Sequence, residues 1–75
     1  MAYTVTLKSN DTHFAQDLVR LNTKYEQTIY IKKGPYIVDG KSILGVLSLG
    51  GLDGATLYCE KPEQEFVEDM FLLLK

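Results

Sequence analysis

The chain contains, at residues 41–50, the run Lys41-Ser42-Ile43-Leu44-Gly45-Val46-Leu47-Ser48-Leu49-Gly50. Serine is a favoured residue just before a helix, because its hydroxyl accepts a hydrogen bond from a free amide of the first turn. The apolar residues after Ser42 therefore predict one short helix over residues 43–49, and the pair Gly50-Gly51 predicts its end. This helix divides the chain into an earlier part with three predicted strands and a later part with one.

The predicted helix has more apolar surface than packing on a sheet requires. Val46 and Leu49 fall on one side of it, whereas Ile43, Leu44 and Leu47 fall on another. Exposed apolar patches often mark sites where a partner docks. We therefore expect Ile43, Leu44 and Leu47 to bind a partner. The alternative is that long side chains of the preceding helix cover them.

The residues before this run predict a strand, a helix and a hairpin. Apolar and polar residues alternate over residues 3–8, which is typical of a strand with one buried face. A helix over residues 12–24 is indicated by apolar residues at helical spacing, namely Phe14, Leu18, Leu21 and Tyr25. Residues 28–32 and 36–38 are β-branched and aromatic, and the turn Gly34-Pro35 between them predicts that they pair.

The residues after it predict a fourth strand over residues 55–59 and a final helix. Pro62 suits the first turn of that helix, where its missing amide costs nothing. Its buried stripe should comprise Phe66, Met70, Leu73 and Leu74, with Val67 and Phe71 at the edge and Leu72 on the polar side. The order of elements predicts an α+β fold with helices on one face of an antiparallel sheet, which several small folds share.

Length, charge and cysteine content exclude several classes of protein. The 75 residues predict a single domain over residues 1–75, and a net charge of −2 without a basic stripe argues against nucleic-acid binding. No apolar run approaches the roughly 20 residues of a membrane span, and no signal peptide is evident, so we expect a cytoplasmic protein. Cys59 is the one cysteine and should be a small buried apolar residue. No metal site or cofactor is predicted.

The run at residues 41–50 resembles the HPr family, the histidine-containing phosphocarriers of the sugar phosphotransferase system. In many of those proteins it reads Lys-Ser-Ile-Met-Gly-Val-Met-Ser-Leu-Gly. Gly54-Ala55 and the order of elements also agree with the family. The resemblance implies an open-faced β-sandwich of order βαββαβα, in which a four-stranded antiparallel sheet carries three helices on one face.

The segment that carries the family's phosphorylated histidine departs from the family motif. Members read Gly-(Ile or Leu)-His-Ala-Arg-Pro-Ala at the start of the first helix, and residues 9–15 here read Ser-Asn-Asp-Thr-His-Phe-Ala. Counted back from Lys24-Tyr25, which resembles the end of that helix, Asp11 takes the place of the histidine. His13 takes the place of the arginine and Phe14 that of the proline. A carboxylate cannot serve as the nitrogen nucleophile of a phosphohistidine carrier.

His13 and Ser42 remain as candidates for phosphorylation. His13 lies at the positive end of a helix, but Asp17 four residues later favours the imidazolium over the neutral nucleophile, so we expect an ordinary surface histidine. In Gram-positive members of the family, a dedicated kinase phosphorylates the serine that matches Ser42, and the product acts as a regulator. A phosphate at a helix N-terminus meets free amides, which suits that role.

The resemblance implies a monomeric, non-catalytic regulatory module that acts through Ser42, Lys41 and the adjacent apolar residues. Its partners would be phosphotransferase-system proteins, an HPr-type serine kinase or a transcription regulator, in carbon catabolite regulation and sugar transport. Two alternatives stay open. One is an active phosphocarrier that accepts phosphate from phosphoenolpyruvate and enzyme I on His13, and the other is a relic of the fold with an unrelated protein partner.

Overall fold

The computed structural model describes residues 2–75, which form one four-stranded antiparallel sheet and three helices. In chain order the elements are β1 (Tyr3–Thr6), α1 (Thr12–Thr23), β2 (Ile29–Lys33), β3 (Tyr36–Asp39), α2 (Ile43–Leu47), β4 (Thr56–Cys59) and α3 (Gln64–Leu74). The predicted α+β fold of order βαββαβα is confirmed.

The sheet has the strand order β1-β4-β2-β3, so the last strand of the chain lies between the first and the second. Leu57 of β4 is opposite Val5 on one side and Ile31 on the other. The predicted hairpin joins β2 to β3 through Gly34-Pro35. Gly34 has a φ of 59°, a left-handed conformation that glycine adopts without steric cost.

The two faces of the sheet differ in what covers them. Successive side chains of a strand point to opposite faces, and Ile29, Ile31 and Leu57 are fully buried on the face that the helices cover. Tyr30 and Ile37, on the other face, are exposed. The helices therefore lie on one face only, which confirms the open-faced β-sandwich.

The core between sheet and helices is centred on Phe66 of α3, which is fully buried. The rings of Tyr3 and Tyr25 meet it edge to face, with centroid separations of 5.9 Å and 5.4 Å. Such pairs stabilise a core by about 0.5–1.5 kcal/mol beyond the burial of their surface. Phe66 thus joins α3 to β1 and to the end of α1.

A polar contact next to this aromatic cluster fixes the end of α1 on α3. The Tyr25 hydroxyl donates a hydrogen bond to Asp69 Oδ2, and Lys24 Nζ lies 3.8 Å from the same oxygen. The hydrogen bond to the Asp69 carboxylate, together with burial and the nearby acidic groups, raises the pKa of Tyr25 to about 12. Tyr25 is therefore a neutral hydrogen-bond donor throughout the physiological pH range.

Three predicted details of the helices were wrong. The helix α2 ends at Leu47 and not at residue 49, because the amides of Leu49 and Gly50 bond three residues back in a tighter turn. The helix α3 begins at Gln64, because Glu63 has the extended backbone of an N-cap, so Pro62 precedes the helix and does not lie in its first turn. Phe71 is 67% exposed and not at the edge of the buried stripe.

Candidate functional site

Asp11, at the start of α1, occupies the position that the resemblance assigns to the phosphorylated histidine. It is the N-cap of the helix, and its Oδ1 accepts a hydrogen bond from the backbone amide of His13 at 2.9 Å. The carboxylate therefore satisfies a free amide of the first turn and lies at the positive end of the helix dipole. Asp11 is therefore a capping group at the position where the family has its nucleophilic histidine.

His13 lies in the first turn of α1 and is exposed, as predicted. Its imidazole makes no side-chain hydrogen bond to any of residues 2–75, and the neighbouring carboxylate of Asp17 pairs instead with Arg20, Oδ1 to Nη1, at 3.1 Å. A phosphoryl group needs donors and positive charge around the acceptor nitrogen. The one guanidinium on this face of α1 is already hydrogen-bonded to Asp17.

Ser42 is the N-cap of α2, as predicted. Its Oγ accepts a hydrogen bond from the amide of Gly45 at 3.1 Å, and its carbonyl accepts one from Val46 at 2.9 Å. Its own amide donates to the carbonyl of Asp39 at 3.1 Å. Ser42 is half-buried. Its backbone hydrogen bonds join it to the end of β3 on one side and to α2 on the other.

Asn22 of α1, which no pattern in the sequence had marked as part of the site, contacts the chain just before Ser42. It is fully buried, and its Nδ2 donates to the carbonyl of Gly40 at 2.8 Å. Gly40 in turn donates its amide to the carbonyl of Ile29 at 2.7 Å, and a Cβ at Gly40 would lie 2.8 Å from Ile29 Cγ2. Asn22 follows Leu18 by four residues, and this position on the apolar stripe is the signal that could have revealed it.

The apolar residues of α2 divide into a buried set and an exposed set. Leu44 is 79% exposed and Leu47 is 42% exposed, and we call these two residues the α2 patch. Val46 is buried, and Ile43, which the sequence placed with the exposed set, is half-buried against the core. Lys41 is half-buried beside Ser42. Lys41, Ser42 and the α2 patch thus lie within one stretch of chain, from the turn before α2 to its last residue.

A shallow cavity of about 240 Å³ separates the start of α1 from the end of α2. Asp11 and Leu47 both line it, so the position of the missing histidine and the α2 patch belong to one continuous surface. Asn10 also lines this cavity, and its Oδ1 accepts a hydrogen bond from the backbone amide of Asp53 at 2.9 Å. A Cβ at Gly51 would collide with that same amide oxygen of Asn10, so this loop requires glycine.

Other kinds of site are not evident among residues 2–75. They contain no group of three or more side chains that could hold a metal ion, and none of their helices is long and apolar enough to cross a membrane. Cys59 is fully buried, as predicted, and burial raises the pKa of its thiol. A buried neutral thiol is a packing residue and not a nucleophile.

The similarity to known proteins extends over nearly the whole chain. The family model described as "PTS HPr component phosphorylation site" matches residues 4–73. The crystal structure of HPr-C-His from Thermoanaerobacter tengcongensis is similar with a TM-score of 0.74 and 25% identity, over 99% of this chain and 90% of that chain. A phosphocarrier protein HPr from Bacillus anthracis str. Ames has the same fold, with a TM-score of 0.73 and 20% identity, over 100% of this chain and 96% of that chain. No curated protein is significantly similar in sequence.

Proposed function

Because this chain belongs to the family of HPr components of the phosphotransferase system, we propose that it is a regulatory module that docks a partner of that system. HPr phosphocarriers are not enzymes, and their partners are phosphotransferase-system proteins. We place the docking surface at Ser42, Lys41 and the α2 patch, and the protein acts there as a cytoplasmic monomer.

The observation that carries this proposal is the exposure of Leu44. A leucine that is 79% exposed, two residues after the capping serine, gains nothing from the core of its own fold. Burial of such a leucine against a partner, by contrast, stabilises a complex by about 1.5–3 kcal/mol. Leu44 follows the capping Ser42 by two residues at the start of α2, so a partner that covers the patch lies within one helical turn of the hydroxyl.

The geometry at the start of α1 supports a regulatory role over that of a carrier. Asp11 caps the helix where a carrier needs its histidine, and the guanidinium of Arg20 is hydrogen-bonded to Asp17. The carboxylate of Asp11 also repels an incoming phosphoryl group, which carries charge of the same sign. We therefore propose that the docking surface makes Ser42 accessible to a partner that phosphorylates it.

The partner that we propose is an HPr-type serine kinase, which transfers a phosphoryl group from ATP to Ser42 Oγ. The bond between Ser42 Oγ and the γ-phosphorus of ATP forms as the bond from that phosphorus to the β–γ bridging oxygen breaks. ADP is released, and the hydroxyl proton passes to a catalytic base of the kinase. The phosphoserine gains charge and acceptor oxygens next to the α2 patch. A transcription regulator that reads this form would link the protein to carbon catabolite regulation and sugar transport.

Incubation with ATP and a purified HPr kinase should therefore add one acid-stable phosphoryl group, measured by intact mass. Ser42→Asn should abolish the gain and leave the fold unchanged, because asparagine is an equally good N-cap that lacks the hydroxyl. Ser48→Ala is the matched control, because Ser48 is exposed at the other end of α2, and this variant should be labelled like the wild type. An unlabelled wild type, or a labelled Ser42→Asn, would refute the proposal.

A further inference from the structure

Lys33, the last residue of β2, reaches the loop that follows α2. Its Nζ donates hydrogen bonds to the carbonyls of Leu49 at 3.2 Å and Gly51 at 2.7 Å. The side chain is half-buried on the face that the helices cover, whereas its neighbour Lys32 is exposed on the open face. Neither of the ion pairs within residues 2–75 involves Lys33, so its ammonium serves these two carbonyls.

These carbonyls follow a helix that is too short to be stable alone. The helix α2 has five residues, and isolated helices shorter than about 12 residues are marginal in water. The amides of Ser48, Leu49 and Gly50 bond back to Leu44, Val46 and Leu47, so the loop continues the helix as a tighter turn. The carbonyls beyond a helix end lack intrahelical donors, and a cation there also complements the negative end of the dipole.

We infer that Lys33 is a positioning residue for the α2 patch. Leu47 is the last residue of α2, and its carbonyl accepts the amide of Gly50 at 3.1 Å, inside the loop that Lys33 holds. The ammonium thereby anchors the end of α2 to a central strand of the sheet and keeps Leu47 on the docking side. The inference rests on the proposed function for what the patch binds, and on the two hydrogen bonds for how the patch is held.

The test compares Lys33→Met with Lys32→Met, which removes the same charge from the other face of the same strand. Methionine keeps an apolar stem but has no donor. In Lys33→Met the amides of Ser48, Leu49 and Gly50 should exchange with solvent about tenfold faster, and the amides of Ile31 and Leu57 should be unchanged. The KM for phosphorylation of Ser42 by HPr kinase should rise about tenfold with kcat unchanged. Lys33→Arg, which keeps donors and charge, should restore both readouts.

Uniformly faster exchange across the sheet, or the same result in Lys32→Met, would overturn the inference, because either would indicate loss of overall stability or of charge. Wild-type exchange and KM in Lys33→Met would overturn it as well. If Lys33→Met does not fold, Lys33→Leu, which also lacks a donor, replaces it, and fast exchange confined to residues 48–50 again decides. If the wild type is not phosphorylated at all, the proposed function fails, and the exchange pattern alone still shows whether Lys33 orders α2.

Discussion

Leu44→Lys should raise the KM for phosphorylation of Ser42 by HPr kinase about 30-fold, because it removes a leucine whose burial against the partner contributes about 2 kcal/mol. The unfolding midpoint should not change, since the leucine is 79% exposed and contributes little to the core. A lysine at this position places a charge opposite the apolar surface of the partner. Docking would remove water from that charge, which costs binding free energy. Steady-state kinetics, with the reaction followed by intact mass, measure the effect.

The matched control is Leu72→Lys. Leu72 is 64% exposed on α3, so the same chemical change is made on a helix that does not carry Ser42. Its KM should equal that of the wild type. A normal KM in Leu44→Lys would show that the partner does not cover the α2 patch, and equal losses in both variants would assign the effect to net charge.

Phe66→Ala should reduce the free energy of unfolding by about 3–5 kcal/mol, the usual cost of removing a fully buried phenylalanine. The loss includes the edge-to-face contacts with Tyr3 and Tyr25. At about 0.05–0.15 kcal/mol per residue, a domain of this size has only a few kcal/mol to lose. For small domains each kcal/mol lowers the midpoint by about 4–8 °C, so thermal unfolding followed by circular dichroism should shift by tens of degrees.

Phe71→Ala is the control for this prediction. Phe71 is 67% exposed on the same helix, five residues later, and its removal should change stability by no more than about 0.5 kcal/mol. If the two variants were equally destabilised, α3 would not pack on the sheet through Phe66, and the arrangement of the core would be wrong.

Much of the fold follows from local patterns that are visible in the sequence. Alternation over β1, helical spacing of Leu18 and Leu21, and the Gly34-Pro35 turn each determine an element within a few residues of chain. The capping role of Ser42 is equally local, because a hydroxyl that precedes an apolar helix has an amide within reach. These predictions were confirmed because the interactions behind them span one or two turns.

Local sequence patterns did not predict the residues that hold the site in place. Asn22 bonds to Gly40, eighteen positions away, and Lys33 bonds to Gly51, also eighteen positions away, and no periodicity encodes either contact. The direction of Ile43 depends on how α2 is rotated against the core, which its own spacing does not determine. The identity of the group at position 11 was clear from the sequence, whereas its hydrogen bond to His13 required the structure.

We expect that this member of the HPr family does not carry phosphate at the start of α1. The most direct test is to incubate the protein with phosphoenolpyruvate and enzyme I and to record its intact mass under neutral and acidic conditions. Asp11 caps the helix, and the exposed His13 has no free guanidinium beside it because Arg20 pairs with Asp17. We therefore predict that the protein gains no acid-labile phosphoryl group. A gain of one such group, abolished by His13→Ala, would show that the start of α1 carries phosphate and would identify the protein as a phosphocarrier.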